Sequence, residues 1–263
     1  MSVIFYLGMF VVGCFVGVMN AALGIGGGIL MVPALRETVP NIDAHTAKGT
    51  SLFIIIFVAM LNAWRENRRW DTVPWRQAAG LACGSIAGGY AGAWLTGLMS
   101  GAAVTWLFVA LLGVMGIRLM LSEPKTLVET RGYRLDGLAV AIGLATGLAS
   151  GMTGIGGGLV LVPLALLVGL ASNERVTGLS NLVMVGTCTA ATIPHLAAER
   201  TLDMVGTIGQ VNVAVVPAIF LGAQLGSPLG HWANAHLSYA KRKTALVILL
   251  VVIAVRMVYR ALN

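Results

Sequence analysis

Charge is what this sequence has least of. Asp, Glu, Lys and Arg make up 10% of its 263 residues, and 57% are hydrophobic. Soluble domains carry about 25% charged residues, and a core of this length has no room to hide so much apolar surface. With a mean hydropathy of +0.87, the chain reads as a polytopic helical membrane protein. Cysteine is scarce too. Cys14, Cys83 and Cys188 stand singly in apolar runs, with no CxxC and no Cys/His cluster. That leaves no metal framework and makes them small buried hydrophobes. Paired carboxylates are also missing from the depths of the apolar runs: Asp43, Glu174, Glu199 and Asp203 fall near their ends. Their absence argues against a carboxylate-based ion pump and against a membrane hydrolase. No Lys or Arg precedes Arg36, so the first run lacks the charged start of a secretory leader and is expected to remain.

The charge that is present sums to +7. It lies between the apolar runs, which is the membrane pattern rather than a nucleic-acid patch. Basic connections also attract anionic solutes. Trp64, Trp70 and Trp75 flank the Arg-rich stretch at 65–69, as in an interfacial belt.

Two runs are too long for one straight crossing. Residues 1–35 and 137–173 contain no Asp, Glu, Lys, Arg or His. The first would reach about 52 Å as a helix at about 1.5 Å per residue, against a hydrocarbon core of about 30 Å. Each must tilt, break or fold back. The other spans fall near 44–64, two within 77–117 divided near 96–102, and then 176–198, 204–230 and 241–262. The expected fold is all-α, a transmembrane bundle of about eight spans, with the first helix of each half broken by glycine.

The halves repeat. At an offset of 130, Gly24–Gly28 (GIGGG) matches Gly154–Gly158, Pro33 matches Pro163, and Asn20 meets Ser150. Thr50-Ser51-Leu52 meets Ser180-Asn181-Leu182, and His45 meets Arg175. With small gaps, Gly88 and Gly92 meet Gly222 and Gly226. The division is a first repeat at 1–121, a charged linker at 122–134 and a second repeat at 135–263. If each over-long run crosses once, the repeats are parallel and Lys and Arg divide 11 to 6, termini on the richer side. If each crosses twice, the repeats are inverted and the division is 12 to 5, termini on the poorer side. Residues 24–35 are too few to cross as a helix, which favours the single crossing.

The glycine runs are not nucleotide loops. A GxGxxG motif needs Gly where Ile29 and Leu159 stand, and no Gly-Lys-Ser/Thr follows. Three consecutive glycines cost a helix about 1 kcal/mol each relative to Ala, so the helix is expected to unwind there. Unwound backbone at membrane depth is tolerated only when buried in protein or lining a wet cavity. Broken helices in transporters aim half-helix N-termini at anionic substrates. Backbone N–H groups at Gly26, Gly27, Gly28, Gly156, Gly157 and Gly158 are therefore candidate anion donors. Asn20, Ser150 and Thr153, just before the glycines, are expected to face the same cavity.

A second constellation pairs residues 45–52 (HTAKGTSL) with 175–182 (RVTGLSNL). Thr50, Ser51, Ser180 and Asn181 could donate to oxyanion oxygens. His45, Lys48 and Arg175 could guide an anion inward. The bland alternatives are back-bonding of the hydroxyls to helix carbonyls and anchoring of the cations at helix ends. His195, after Pro194, reads as a surface or kink residue. His231 and His236 read as loop residues. Gln210, Asn212 and Gln224 pair helices or line the path.

Together, GIGGG followed by Val-Pro in both halves, AKGTSL with its partner TGLSNL, and the paired Gly-xxx-Gly resemble the sulfite exporter TauE/SafE family. The resemblance covers nearly the whole chain, though Leu179 stands where the first half has Gly49. It implies a bacterial inner-membrane, multi-pass secondary transporter without cofactor, exporting a small sulfur-containing anion such as sulfite or an organosulfonate. The partners it implies are that anion, the lipid bilayer, a coupling proton or sodium ion, and a second copy of the chain. An anion channel, or a permease importing another anion, is the alternative.

Overall fold

The computed structural model describes residues 3–23, 28–66, 75–121, 137–168, 170, 175–237 and 239–262. Among them are eight long helices: α1 (Val3–Leu23), α3 (Ala44–Glu66), α4 (Trp75–Gly97), α5 (Gly101–Leu121), α6 (Gly137–Thr153), α8 (Val176–Ala197), α9 (Val216–His236) and α10 (Tyr239–Leu262). Two short helices, α2 (Met31–Thr38) and α7 (Gly158–Leu167), follow the glycine runs. A small antiparallel hairpin, β1 (Thr207–Ile208) and β2 (Val211–Asn212), precedes α9. The fold is the expected all-α polytopic bundle, and α1, α3, α5 and α8 each contain a stretch long and apolar enough to cross a membrane by that measure alone.

Helix directions follow from which residues meet. Gly13 and Gly17 of α1 pack on Ile219 and Ala223 of α9, so these helices run parallel. Gly84, Gly88 and Gly92 of α4 pack on Val140, Leu144 and Leu148 of α6, again parallel. Small residues four apart let these backbones touch. Each half thus lends its first helix to the other half. At the centre, Gly49 of α3 meets His195 at the end of α8, while Asn181 at the start of α8 bonds Glu66 at the end of α3. The two equivalent helices α3 and α8 are antiparallel, packed through Leu52, Ile55, Ala59, Met184, Cys188 and Ala191.

Antiparallel equivalents mean inverted repeats, which overturns the parallel, single-crossing expectation. A 12-residue stretch need not cross. The short helix after each glycine run turns back toward the face its long helix came from. Thr38 at the end of α2 reaches Met9 in the first half of α1. Leu161 and Ala165 of α7 pack with Ala139 and Ile142 near the start of α6. At about 1.5 Å per residue, these arms reach only part-way through a bilayer.

The glycine register also shifts by one turn. Gly84 faces Val140 and Leu144, whose repeat equivalents Phe10 and Cys14 face Gly222. The matched pairs are therefore Gly84 with Gly222 and Gly88 with Gly226, not Gly88 with Gly222. The hairpin between α8 and α9 lengthens the second half and obscures that alignment.

The start of α1 and the end of α10 belong to one end of the bundle, and the start of α4, the end of α5, the start of α6 and the start of α8 to the other. Among the described residues, the second end takes Arg65, Arg76, Arg118, Arg175, Lys241, Arg242 and Lys243, and the terminal end keeps Arg36, Lys48, Arg200, Arg256 and Arg260.

Candidate functional site

α6 stops at Thr153 because the next residues leave helical space. Gly154, Gly156 and Gly157 have φ of +78°, +85° and +89°, where a Cβ is strained. The turn sits at mid-depth, Gly156 against Ile55 of α3 and Met184 of α8. α7 then starts from Gly157 as N-cap with no side-chain cap. Gly28, just before α2, presses on the backbone of Ile155 so closely that no Cβ fits between them. The two glycine runs therefore touch. Gly26 and Gly27 lie outside the described residues.

Lys48 is the unusual side chain here. It is 1% exposed, and its stem packs over Gly154. Its Nζ donates to the Thr96 hydroxyl, which donates onward to the carbonyls of Gly92 and Ala93 at 3.1 and 3.0 Å. No carboxylate lies within ion-pair distance of Lys48 among the described residues. A small, mostly apolar recess beside it is lined by Val32, Ala44, Val104, Phe108 and Met257, with Arg36, Thr105 and Thr153 among them. Arg36 enters from α2 and donates to Thr105 Oγ1 at 2.9 Å. Taking an ammonium out of water without a counter-charge is costly.

The sequence-selected polar residues divide into two groups. Several tie elements together. Ser51 donates to the Gly154 carbonyl at 2.9 Å. Thr50 accepts the Asn212 N–H at 2.9 Å. Asn181 donates to Glu66 at 2.8 Å, and Ser180 to the Met184 sulfur at 3.7 Å. Thr153 back-bonds to Ala149 at 2.6 Å. Others keep a buried atom without a partner: Asn20 Oδ1, Ser150 Oγ and His45 Nδ1. His45 and Lys48 share the terminal end, but Arg175, at the start of α8, stands at the opposite end.

His195 corrects its sequence reading. It is 1% exposed rather than on the surface. Its Nδ1 meets Gln210 Oε1 at 2.8 Å, and its carbonyl accepts the Gln210 N–H at 2.8 Å. Gly49 makes room for it, since a Cβ there would strike both His195 and the Gln210 carbonyl. The pairing of Gly49 with a distant His was not visible in one chain. Glu66 and Thr146 were also passed over, because neither sits in a motif.

The hairpin is latched once more at the terminal end. Asp43 caps α3, accepting from the His45 and Thr46 N–H groups at 2.7 and 2.9 Å. Its other oxygen accepts from Thr46 Oγ1 at 2.8 Å and from Thr201 Oγ1 at 2.6 Å. Burial alone would raise the Asp43 pKa, but these hydrogen bonds outweigh it and hold it below the ordinary 3.8.

Comparison with known proteins places this architecture. The sequence profile "Sulfite exporter TauE/SafE" matches residues 9–257. A Bacillus subtilis protein named "Probable membrane transporter protein YunE" is 23% identical over 96% of this chain and 97% of its own length. A "Probable membrane transporter protein" of Xylella fastidiosa is 29% identical over 92% of this chain and 90% of its own. One of Haemophilus influenzae is 29% identical over 62% of this chain, and the match spans 61% of that protein. No solved structure matches.

Proposed function

This chain belongs to the sulfite exporter TauE/SafE family of membrane transporters, and from that premise we propose that it exports a small sulfur-containing oxyanion, such as sulfite or an organosulfonate, by secondary transport. The observation that carries the reading is Lys48, a buried cation with no carboxylate partner among the described residues, packed on a glycine turn at the centre of an inverted repeat. An oxyanion reaching Lys48 as the recess beside it widens would accept from its ammonium, with Arg36 close by.

Inverted repeats supply the alternation. The two glycine hairpins enter from opposite ends and meet, so rocking one half against the other exposes their contact region to either side in turn. On this reading the basic end is cytoplasmic. The 198–212 segment, latched by Asp43–Thr201, Thr50–Asn212 and His195–Gln210, is the outer barrier. The test is flux in liposomes with radiolabelled sulfite. A transporter gives saturable uptake and counterflow. Weakly saturable conductance would mean a channel, and thermal stabilisation by carboxylates alone would overturn the substrate class.

A further inference from the structure

Two hydroxyls on α6 are unaccounted for by the Lys48 recess. Threonines in these helices ordinarily bond the carbonyl four residues back, as Thr105, Thr187 and Thr192 do. Thr146 and Ser150 occupy the same helical setting and are each 1% exposed. Yet Thr146 Oγ1 and Ser150 Oγ have no oxygen or nitrogen partner, and Ser150 has only the Cys188 thiol beside it. A buried hydroxyl gives up the back-bond only for a rotamer that serves something else.

Both side chains border the same spot. A Cβ added to Gly157 would meet the Thr146 methyl at 3.1 Å, the Ser150 Cβ at 3.4 Å and the Ser150 hydroxyl oxygen at 3.7 Å. Gly157 is the N-cap of α7, a ten-residue helix that begins inside the protein with no side-chain cap. First-turn N–H groups have no partner within their own helix, and that end carries positive partial charge. The uncapped donors and the Ser150 hydroxyl therefore meet at one place, with the Thr146 side chain beside it. The other half repeats the feature. Asn20, equivalent to Ser150, also has a buried side-chain oxygen without a partner, and α2 likewise starts uncapped.

We propose that Thr146, Ser150 and the first turn of α7 form a second oxyanion station, at the Gly157 end of the turn whose Gly154 end meets Lys48. It holds the transported anion through neutral donors only. The inference rests on the transport reading above and divides the passage into two steps. The anion entering from the basic end meets the uncharged station first. It then passes to the full charge at Lys48, on the terminal side, from which it leaves. Equilibrium binding is set by Lys48 and exchange across the protein by the uncharged station.

The test uses the full chain, purified and reconstituted, with methanesulfonate as binding probe and sulfite for counterflow. In the pair Thr146→Val with Ser150→Ala, methanesulfonate affinity stays within about threefold of the parent, while counterflow falls at least about tenfold, the scale of lost hydrogen bonds. The pair Thr146→Ser with Ser150→Thr, which keeps both hydroxyls, restores counterflow. Unchanged counterflow in the first pair overturns the station. So does an equal loss in the second pair, which would assign the effect to packing. A parent that neither binds methanesulfonate nor exchanges sulfite removes the transport reading instead, and the station with it.

Discussion

The Ser51 hydroxyl donates to the Gly154 carbonyl at 2.9 Å, so a helix of one half fixes the glycine turn of the other. Ser51→Ala leaves that buried carbonyl without this donor. The expected loss is about 1 kcal/mol of stability, read as a lower unfolding midpoint, with counterflow impaired because the turn is no longer held. An unchanged midpoint and unchanged counterflow would make the bond incidental.

The glycines themselves should be intolerant. Gly156→Ala places a Cβ at a φ of +85°, which costs more than about 1 kcal/mol. Gly28→Ala has ordinary room neither beside nor beyond the Ile155 backbone, so it should push the two hairpin tips apart. Both variants are expected to insert in the membrane at normal abundance and to lose transport. Normal counterflow in both would show that the touching tips are dispensable.

The inverted topology predicts sidedness. Single cysteines near Val3 and Asn263 should be modified by an impermeant thiol reagent from the same face of the membrane. A cysteine in the α9–α10 connection, beside Lys241 and Lys243, should be modified only from the opposite face. Labelling of the termini from the Lys-rich side would restore parallel repeats.

Much of this was legible in the sequence, for reasons that particular residues make plain. The eight long helices were written in uncharged runs, because every backbone group in lipid must bond within its own segment. The second glycine turn was announced by Gly154 to Gly158, because helix breaking is a local property. The direction of return was not. Twelve residues are compatible with a bend or a reversal, and the choice is made by tertiary contacts such as Thr38 with Met9. The site was half legible. Lys48 was visible as a cation, but its burial depends on Thr96, 48 residues away. His195 was misread because its neighbours, Gly49 and Gln210, belong to other elements. Thr50, Ser51 and Asn181 were found by repeat matching, but their partners come from other elements, which no motif specifies.

Asp43 gives the outer latch a pH dependence. Its native pKa lies below the ordinary 3.8, so the unfolded chain holds more protons in that window and the carboxylate stabilises the fold above it. That contribution is present at neutral pH and is lost as pH falls through the ordinary value toward the lower native one. Proteolysis or labelling of the 198–206 segment should therefore rise below about pH 4 in the parent. In Asp43→Asn it should already be elevated at pH 7. A segment equally protected in both proteins at pH 7 would remove Asp43 from the latch.

The central claim is that Lys48 supplies the charge that holds the transported anion. Titration of purified protein with methanesulfonate and sulfite, comparing the parent with Lys48→Met, tests it most directly. Methionine keeps most of the apolar stem over Gly154 and removes the ammonium. The account predicts that the variant remains folded and loses at least about tenfold in affinity, as expected when a charge-assisted hydrogen bond is deleted. Affinity equal to the parent's, in a folded Lys48→Met protein, would contradict it.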